Sequence, residues 1–145
     1  MRPYFPALLM ATITVACSTN PGHTDGTVLF LVAEIPGHEL YNDSYVIPLI
    51  DPDLIAQARQ LISTHNRIVV ARIAAGKDGI NRDYKASLHP EWSWHVTEVL
   101  AFAEAAIEIC DGTPTQVERD VQGWIANTRG VVCFWAYSVV AELNP

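Results

Sequence analysis

At 145 residues, half of them apolar and 17% charged, the chain has the length and composition of one globular domain with a sizeable core, not of a disordered segment. A net charge of −7 without any Lys/Arg cluster argues against nucleic acid as a partner. Acidity of this size serves solubility and favours cationic partners.

The opening "MRPYFPALLMATITVAC" carries one positive charge, Arg2, and then an uncharged apolar run from Ala7 to Ala16. About ten such residues fit the core of an export signal and are too few to cross a bilayer. Thr14-Val15-Ala16-Cys17 resembles the lipobox of bacterial lipoproteins, where cleavage precedes a cysteine that then carries lipid. Thr14 stands where leucine is usual, so cleavage after Ala16 without lipid is the alternative. The expectation is a discarded signal over 1–16, lipidation at Cys17 and a polar, turn-rich tether over 17–26. Residues 27–145 then form a single exported domain, lipid-anchored in the cell envelope or secreted. Its contact with membrane would be through the lipid only.

"TVLFLVAEI", 27–35, is rich in β-branched and aromatic residues and bounded by Gly26 and Pro36-Gly37, so it reads as a buried strand. After the polar turn "HELYND", "SYVIPLI", 44–50, is a second strand. Pro48 has no ladder donor, which places this strand at an edge or a bulge. "DPDLIAQARQLISTHN" is a helix. Asp51 caps it, Pro52 suits its first position, and Leu54, Ile55, Ala58, Leu61 and Ile62 form its apolar stripe. His65 falls in the last turn and Asn66 closes it. "RIVVARIAA", 67–75, is strand, and "GKDGINRDYKASLHP", 76–90, is a long loop.

"EWSWHVTEVLAFAEAAIEIC" has two readings. Glu91 to Val96 alternates as a strand does, with Trp92, Trp94 and Val96 on one face. Beyond it, Val99, Leu100, Ala103, Ala106, Ile107 and Cys110 recur at helical spacing, whereas Leu100/Phe102 and Ile107/Ile109 suit a strand. We take 97–109 as strand. Thr113-Pro114-Thr115-Gln116 is a capping box, Val117, Val121, Trp124 and Ile125 make a buried stripe, and Gly130 ends the helix. "VVCFWAYSVVAEL", 131–143, is the last strand, with Phe134, Ala136, Ser138 and Val140 on one face and Trp135, Tyr137 and Val139 on the other. This order predicts an α+β fold: a mostly antiparallel sheet of five or six strands with two helices packed on one face.

With Cys17 taken by the signal, Cys110 and Cys133 are an even pair in an oxidising compartment. A disulfide there closes a loop of roughly two dozen residues, worth about 3–3.5 kcal/mol by chain entropy. Two separately buried thiols are the alternative.

"DPDLIAQAR", "WSWHV", "AIEICDGTPTQVE" and the late "CFW" together resemble the BP-seventy-four N-terminal domain family of small exported domains. The residues carrying the resemblance are Asp51, Pro52, Ile55, Ala58 and Arg59; Trp92, Ser93 and His95; Ala106, Ile107, Glu108, Cys110 and Asp111; and Cys133 and Trp135. Phe134 stands where that family has proline. The resemblance covers residues 27–143. It implies an exported domain with a cysteine pair and no particular reaction.

Reactive constellations are sparse. The histidines, 23, 38, 65, 89 and 95, fall in no zinc pattern, and on a strand Glu91 and His95 lie about 13 Å apart. Gly76-Lys77 lacks the flanking residues of a phosphate loop, and no nucleophile elbow frames a serine. Aromatic residues are the richer signal. If Trp92 and Trp94 fill the interior, Glu91, Ser93, His95 and Thr97 form an outward polar strip. The 76–90 loop, with Tyr84 and Lys85, is the protruding contact. The expected site is therefore a binding surface of Trp92, Ser93, Trp94, His95, Tyr84 and Lys85, with no metal and no cofactor. The expected function is an exported, lipid-anchored, non-catalytic domain that recognises a protein partner, an inhibitor included. The alternative is a small envelope hydrolase or metal-dependent enzyme using His95 and a carboxylate.

Overall fold

The computed structural model describes residues 26–85 and 90–143. The export signal, Cys17, the tether up to residue 25 and positions 86–89 of the long loop lie outside the described residues. Six antiparallel strands and their helices give the expected α+β fold, with the strands divided between two three-stranded sheets. In the first sheet β1 (Val28–Glu34) lies between β2 (Ser44–Leu49) and β6 (Tyr137–Leu143). In the second, β3 (Ile68–Ala75) lies between β4 (Trp94–Ala103) and the short β5 (Val131–Val132). Phe30, Val32, Tyr45, Ile47, Tyr137 and Val139 of the first sheet share one core with Val69, Ile73, Trp94, Val96, Val99 and Phe102 of the second.

The division has a local cause. β2 runs beside β4 without pairing to it, and buried Asn81 stands between them. Its Oδ1 accepts from the Val46 N–H at 3.2 Å, and its Nδ2 donates to the Trp94 carbonyl. The Trp92 Nε1–H donates to the Ser44 carbonyl at 2.7 Å. Side chains of the 81–92 segment thus satisfy the β2 edge that a continuous sheet would pair. Pro48 sits on that edge strand, as its missing donor requires.

β4 resolves the two readings of 97–109. Its register against β3 shifts twice, leaving Thr97 and Leu100 as extra residues. The inward side chains are then Trp94, Val96, Val99 and Phe102. Bulges stretch a period of two toward three, which imitates a helical stripe. The strand stops at Ala103, short of the expected 109. Residues 104–107 leave the sheet and lead into one 3-10 turn, Glu108–Cys110.

Asp51 caps α1 (Pro52–Thr64), its Oδ1 accepting from the Asp53 and Leu54 N–H groups. The left-handed closing residue is His65, at φ 48°, rather than Asn66. The helix packs on the first sheet, mainly against β6, where the Arg59 guanidinium meets Glu142 at 2.8 Å. The second expected helix breaks into α2 (Pro114–Arg119) and α3 (Val121–Thr128). Asp120 interrupts it by capping α3, with its Oδ1 accepting from the Gly123 N–H. A Cβ on Gly123 would collide with that carboxylate. Since α3 packs on β3 and β5, each sheet carries its own helix instead of one face carrying both. The expected last strand is also split: the chain leaves β5 at Cys133, turns, and joins the first sheet at Tyr137.

Two buried phenols make an alkaline prediction. Burial holds the Tyr45 hydroxyl above the ordinary range, and burial followed by the bond to Asp43 does the same for Tyr137. Folded values above the unfolded one mean that their contribution is intact below the ordinary phenol range, about 10, and is lost as pH rises past it. In an alkaline titration followed by ultraviolet difference absorbance and near-ultraviolet circular dichroism, Tyr45 and Tyr137 should ionise together with loss of tertiary signal. Tyrosinate at either position in a still-folded domain would contradict this.

Candidate recognition surface

Three carboxylates fix the loops at one end of the molecule. Glu34, fully buried at the end of β1, needs partners for its charge. Its Oε1 accepts from the N–H groups of Leu40 at 2.7 Å and Tyr41 at 3.0 Å, and its Oε2 from those of Asn42 at 2.7 Å and Tyr41 at 3.1 Å. The loop is therefore wound around a carboxylate, with Asn42 left-handed at φ 55°. With their backbone turned inward, the Leu40 and Tyr41 side chains point out, 82% and 55% exposed. Asp43 accepts from the Tyr137 hydroxyl on one oxygen and from the Thr115 N–H and hydroxyl on the other, at 3.0 and 2.6 Å. The same loop is thereby tied to β6 and to the start of α2.

The third carboxylate, Asp111, accepts from the N–H groups of Gly112 at 2.8 Å and Trp135 at 2.7 Å through Oδ1. Beside it the Cys110–Cys133 disulfide closes, with its Cα atoms 5.2 Å apart, and the Cys133 N–H donates to the Cys110 carbonyl. On the other side, the Ile35 N–H donates to the Ala136 carbonyl at 2.8 Å. Trp135 therefore stands on a turn held by a disulfide, a carboxylate and a neighbouring backbone, with its side chain 58% exposed.

Two clefts meet at Trp135. One, of about 570 Å³, is lined by Ile35, Leu40 and Ile68 together with His38, His65 and the Arg67–Glu104 ion pair. The other, of about 410 Å³, runs between Tyr41 and Trp135 past Glu108 and Asp111. Exposed Ile107 and Ile109 flank Glu108. Large apolar side chains outside, on loops tied by hydrogen bonds and a disulfide, are the composition of a recognition hot spot.

The residues expected from sequence are distributed differently. Trp92 and Trp94 are core: they stack with centroids 6.1 Å apart, and Trp94 also packs on Tyr45. Their rings are closed to an outside partner. Ser93 is exposed but turned to Glu118, to which its N–H and hydroxyl donate at 2.9 and 3.0 Å. The Nδ1 of His95 meets the Gly76 carbonyl at 2.8 Å, and Glu91 accepts from the Gly79 N–H. For the enzyme alternative, His95 and these carboxylates thus face separate partners. Among the described residues, no three His, Cys, Asp or Glu side chains gather as metal ligands. Tyr84 is at the surface, and Lys85 reaches the Glu34-wound loop: its carbonyl accepts from Asn42 Nδ2, and its Nζ is 3.9 Å from Glu39. Leu40, Tyr41, Ile107, Ile109 and Trp135 were not expected at the site. The available cue was an apolar pair inside the polar turn "HELYND".

Fold and surface together define a disulfide-stapled α+β domain that presents an aromatic end. The family model of the BP-seventy-four N-terminal domain matches residues 27–145, and the chain belongs to that family. No curated protein and no solved structure matches it. The residues that carried the resemblance now have physical roles. Asp51 caps α1, Arg59 pairs with Glu142, Trp92 seals the β2 edge, the cysteines bridge, and Asp111 holds the Trp135 backbone. Three of them, Ile107, Glu108 and Trp135, instead turn outward on the same end.

Proposed function

We propose that this is an exported, lipid-anchored, non-catalytic domain that holds a protein partner on the Trp135-centred surface. The observation that carries the reading is the exposure of Leu40, Tyr41, Ile107, Ile109 and Trp135 on loops fixed by Glu34, Asp111 and the disulfide. The register of β1 against β6 supports it. Leu29 pairs with Leu143, so the start of β1 and the end of β6 lie at the opposite end of the seven-residue β1 from Glu34, about 20 Å away. A domain tethered through residues 17–26 would present this surface away from the membrane.

Trp135→Ala removes only an exposed ring and leaves the backbone bond to Asp111 in place. It is expected to keep the wild-type circular dichroism and to weaken the partner captured from the native envelope fraction by about thirtyfold, the loss typical of a hot-spot tryptophan. An unchanged set and strength of captured partners would refute the surface. Anchoring is tested separately: labelled fatty acid should enter the wild-type chain and not Cys17→Ser. Equal labelling of both would remove the lipid assignment.

A further inference from the structure

Resting on the recognition reading, we propose that the cleft between Tyr41 and Trp135 receives a lysine or arginine side chain of the protein partner, with Glu108 and Asp111 as counter-charges. Two exposed aromatic side chains, two carboxylates and the Gln116 amide line this cleft, and among the described residues no Lys, Arg or His does. Asp111 uses Oδ1 for the two backbone N–H groups, which leaves Oδ2 for a ligand. Among the described residues Glu108 has no ion-pair partner. The adjoining cleft shares Glu108 and Asp111, adds Asp120, and again has no basic side chain among its described lining residues.

Uncompensated negative charge therefore runs along one side of Trp135. On its other side Arg67 already meets Glu104, Glu39 lies 3.9 Å from the Lys85 Nζ, and His38 and His65 join the lining. The asymmetry assigns the cation to one cleft. A long cationic side chain fits both halves of that lining. Its aliphatic stem packs on the rings, its charge is drawn to aromatic faces and carboxylates together, and apolar neighbours in the partner meet Ile107 and Ile109. The chain's net charge of −7 steers such a segment inward.

The probe is a short fluorescein-labelled peptide of alternating arginine and leucine, with a glutamate–leucine peptide as comparator. Binding is read by anisotropy at about physiological ionic strength, where unspecific attraction is screened. The arginine peptide should bind and the glutamate peptide should not. Glu108→Gln and Trp135→Ala should each weaken binding about tenfold. Glu98→Gln, a charge-matched change on β4, should leave binding within about twofold. Equal losses from Glu98→Gln and Glu108→Gln would reduce the attraction to net charge and overturn the proposal, as would equal binding of both peptides or none of either. If the native partner is lost by Trp135→Ala but held by Glu108→Gln, the recognition surface stands and the cation assignment falls.

Discussion

Replacing both Cys110 and Cys133 by serine is expected to lower stability by about 3.5 kcal/mol, the chain-entropy value for a bridge between residues 23 apart. The loss should appear as a lower urea midpoint for the double variant than for the oxidised wild type, with reduction of the wild type giving the same shift. The bridge joins the end of the 104–110 segment to the start of the turn that bears Trp135. Once it is absent, that turn keeps Asp111, the Ile35–Ala136 and Cys133–Cys110 backbone bonds and buried Phe134, but loses its covalent tie. Partner binding should then fall further than the stability change predicts, because the cost of ordering the loop moves from folding to binding. A stability loss below about 1 kcal/mol would mean that the bridge does not limit the unfolded chain. Free, alkylatable thiols in protein taken from its native location would also remove the support that the bridge lends to export.

Glu34→Ala is the second large effect. Three N–H groups, of Leu40, Tyr41 and Asn42, lose a charged acceptor at once. An orphaned buried donor costs about 1–3 kcal/mol, and the exposed side of this loop lets water relieve part of that, so a total of about 3 kcal/mol is expected. Glu34→Gln retains one acceptor oxygen but loses the charge and turns an amide N–H₂ toward donors, so it should recover less than half. Denaturation measures the total, and amide hydrogen exchange at 40–42 locates it: those amides should exchange far faster in Glu34→Ala while β3 and β4 stay protected. Unchanged exchange there would show that the loop holds its shape without the carboxylate. The variant also separates scaffold from surface, since Leu40 and Tyr41 keep their side chains and lose only their presentation.

Both predictions place control of the exposed end in groups that are themselves buried. The same division runs through the residues that identify the family. Asp51, Arg59, Trp92 and the cysteines build the frame, whereas Trp135, Ile107 and Glu108 occupy its exposed end.

Local sequence determined what depends on near neighbours. The strands over 28–34, 44–49 and 68–75, the Asp51 and Thr113 caps, and the inward Trp92 and Trp94 were legible because alternation, capping and turn chemistry act within a few residues. The pairing of Cys110 with Cys133 followed from counting cysteines once export was assumed. Tertiary structure decided the rest. Buried Asn81 and the Trp92 indole occupy the β2 edge between the two sheets, two bulges stretch β4 out of its period, and Asp120 prefers a cap to a helix interior. The exposed aromatic end was the least legible part. It joins the 35–43, 107–111 and 133–136 segments; the exposure of Leu40 and Tyr41 follows from the nearby Glu34 carboxylate, and that of Trp135 from Asp111 and the disulfide to Cys110, more than twenty residues away. An alternating pattern reports which way a side chain points within a strand. It carries no signal for side chains turned outward in the connections between strands, because that direction is fixed by hydrogen bonds and a disulfide outside the strand ladder.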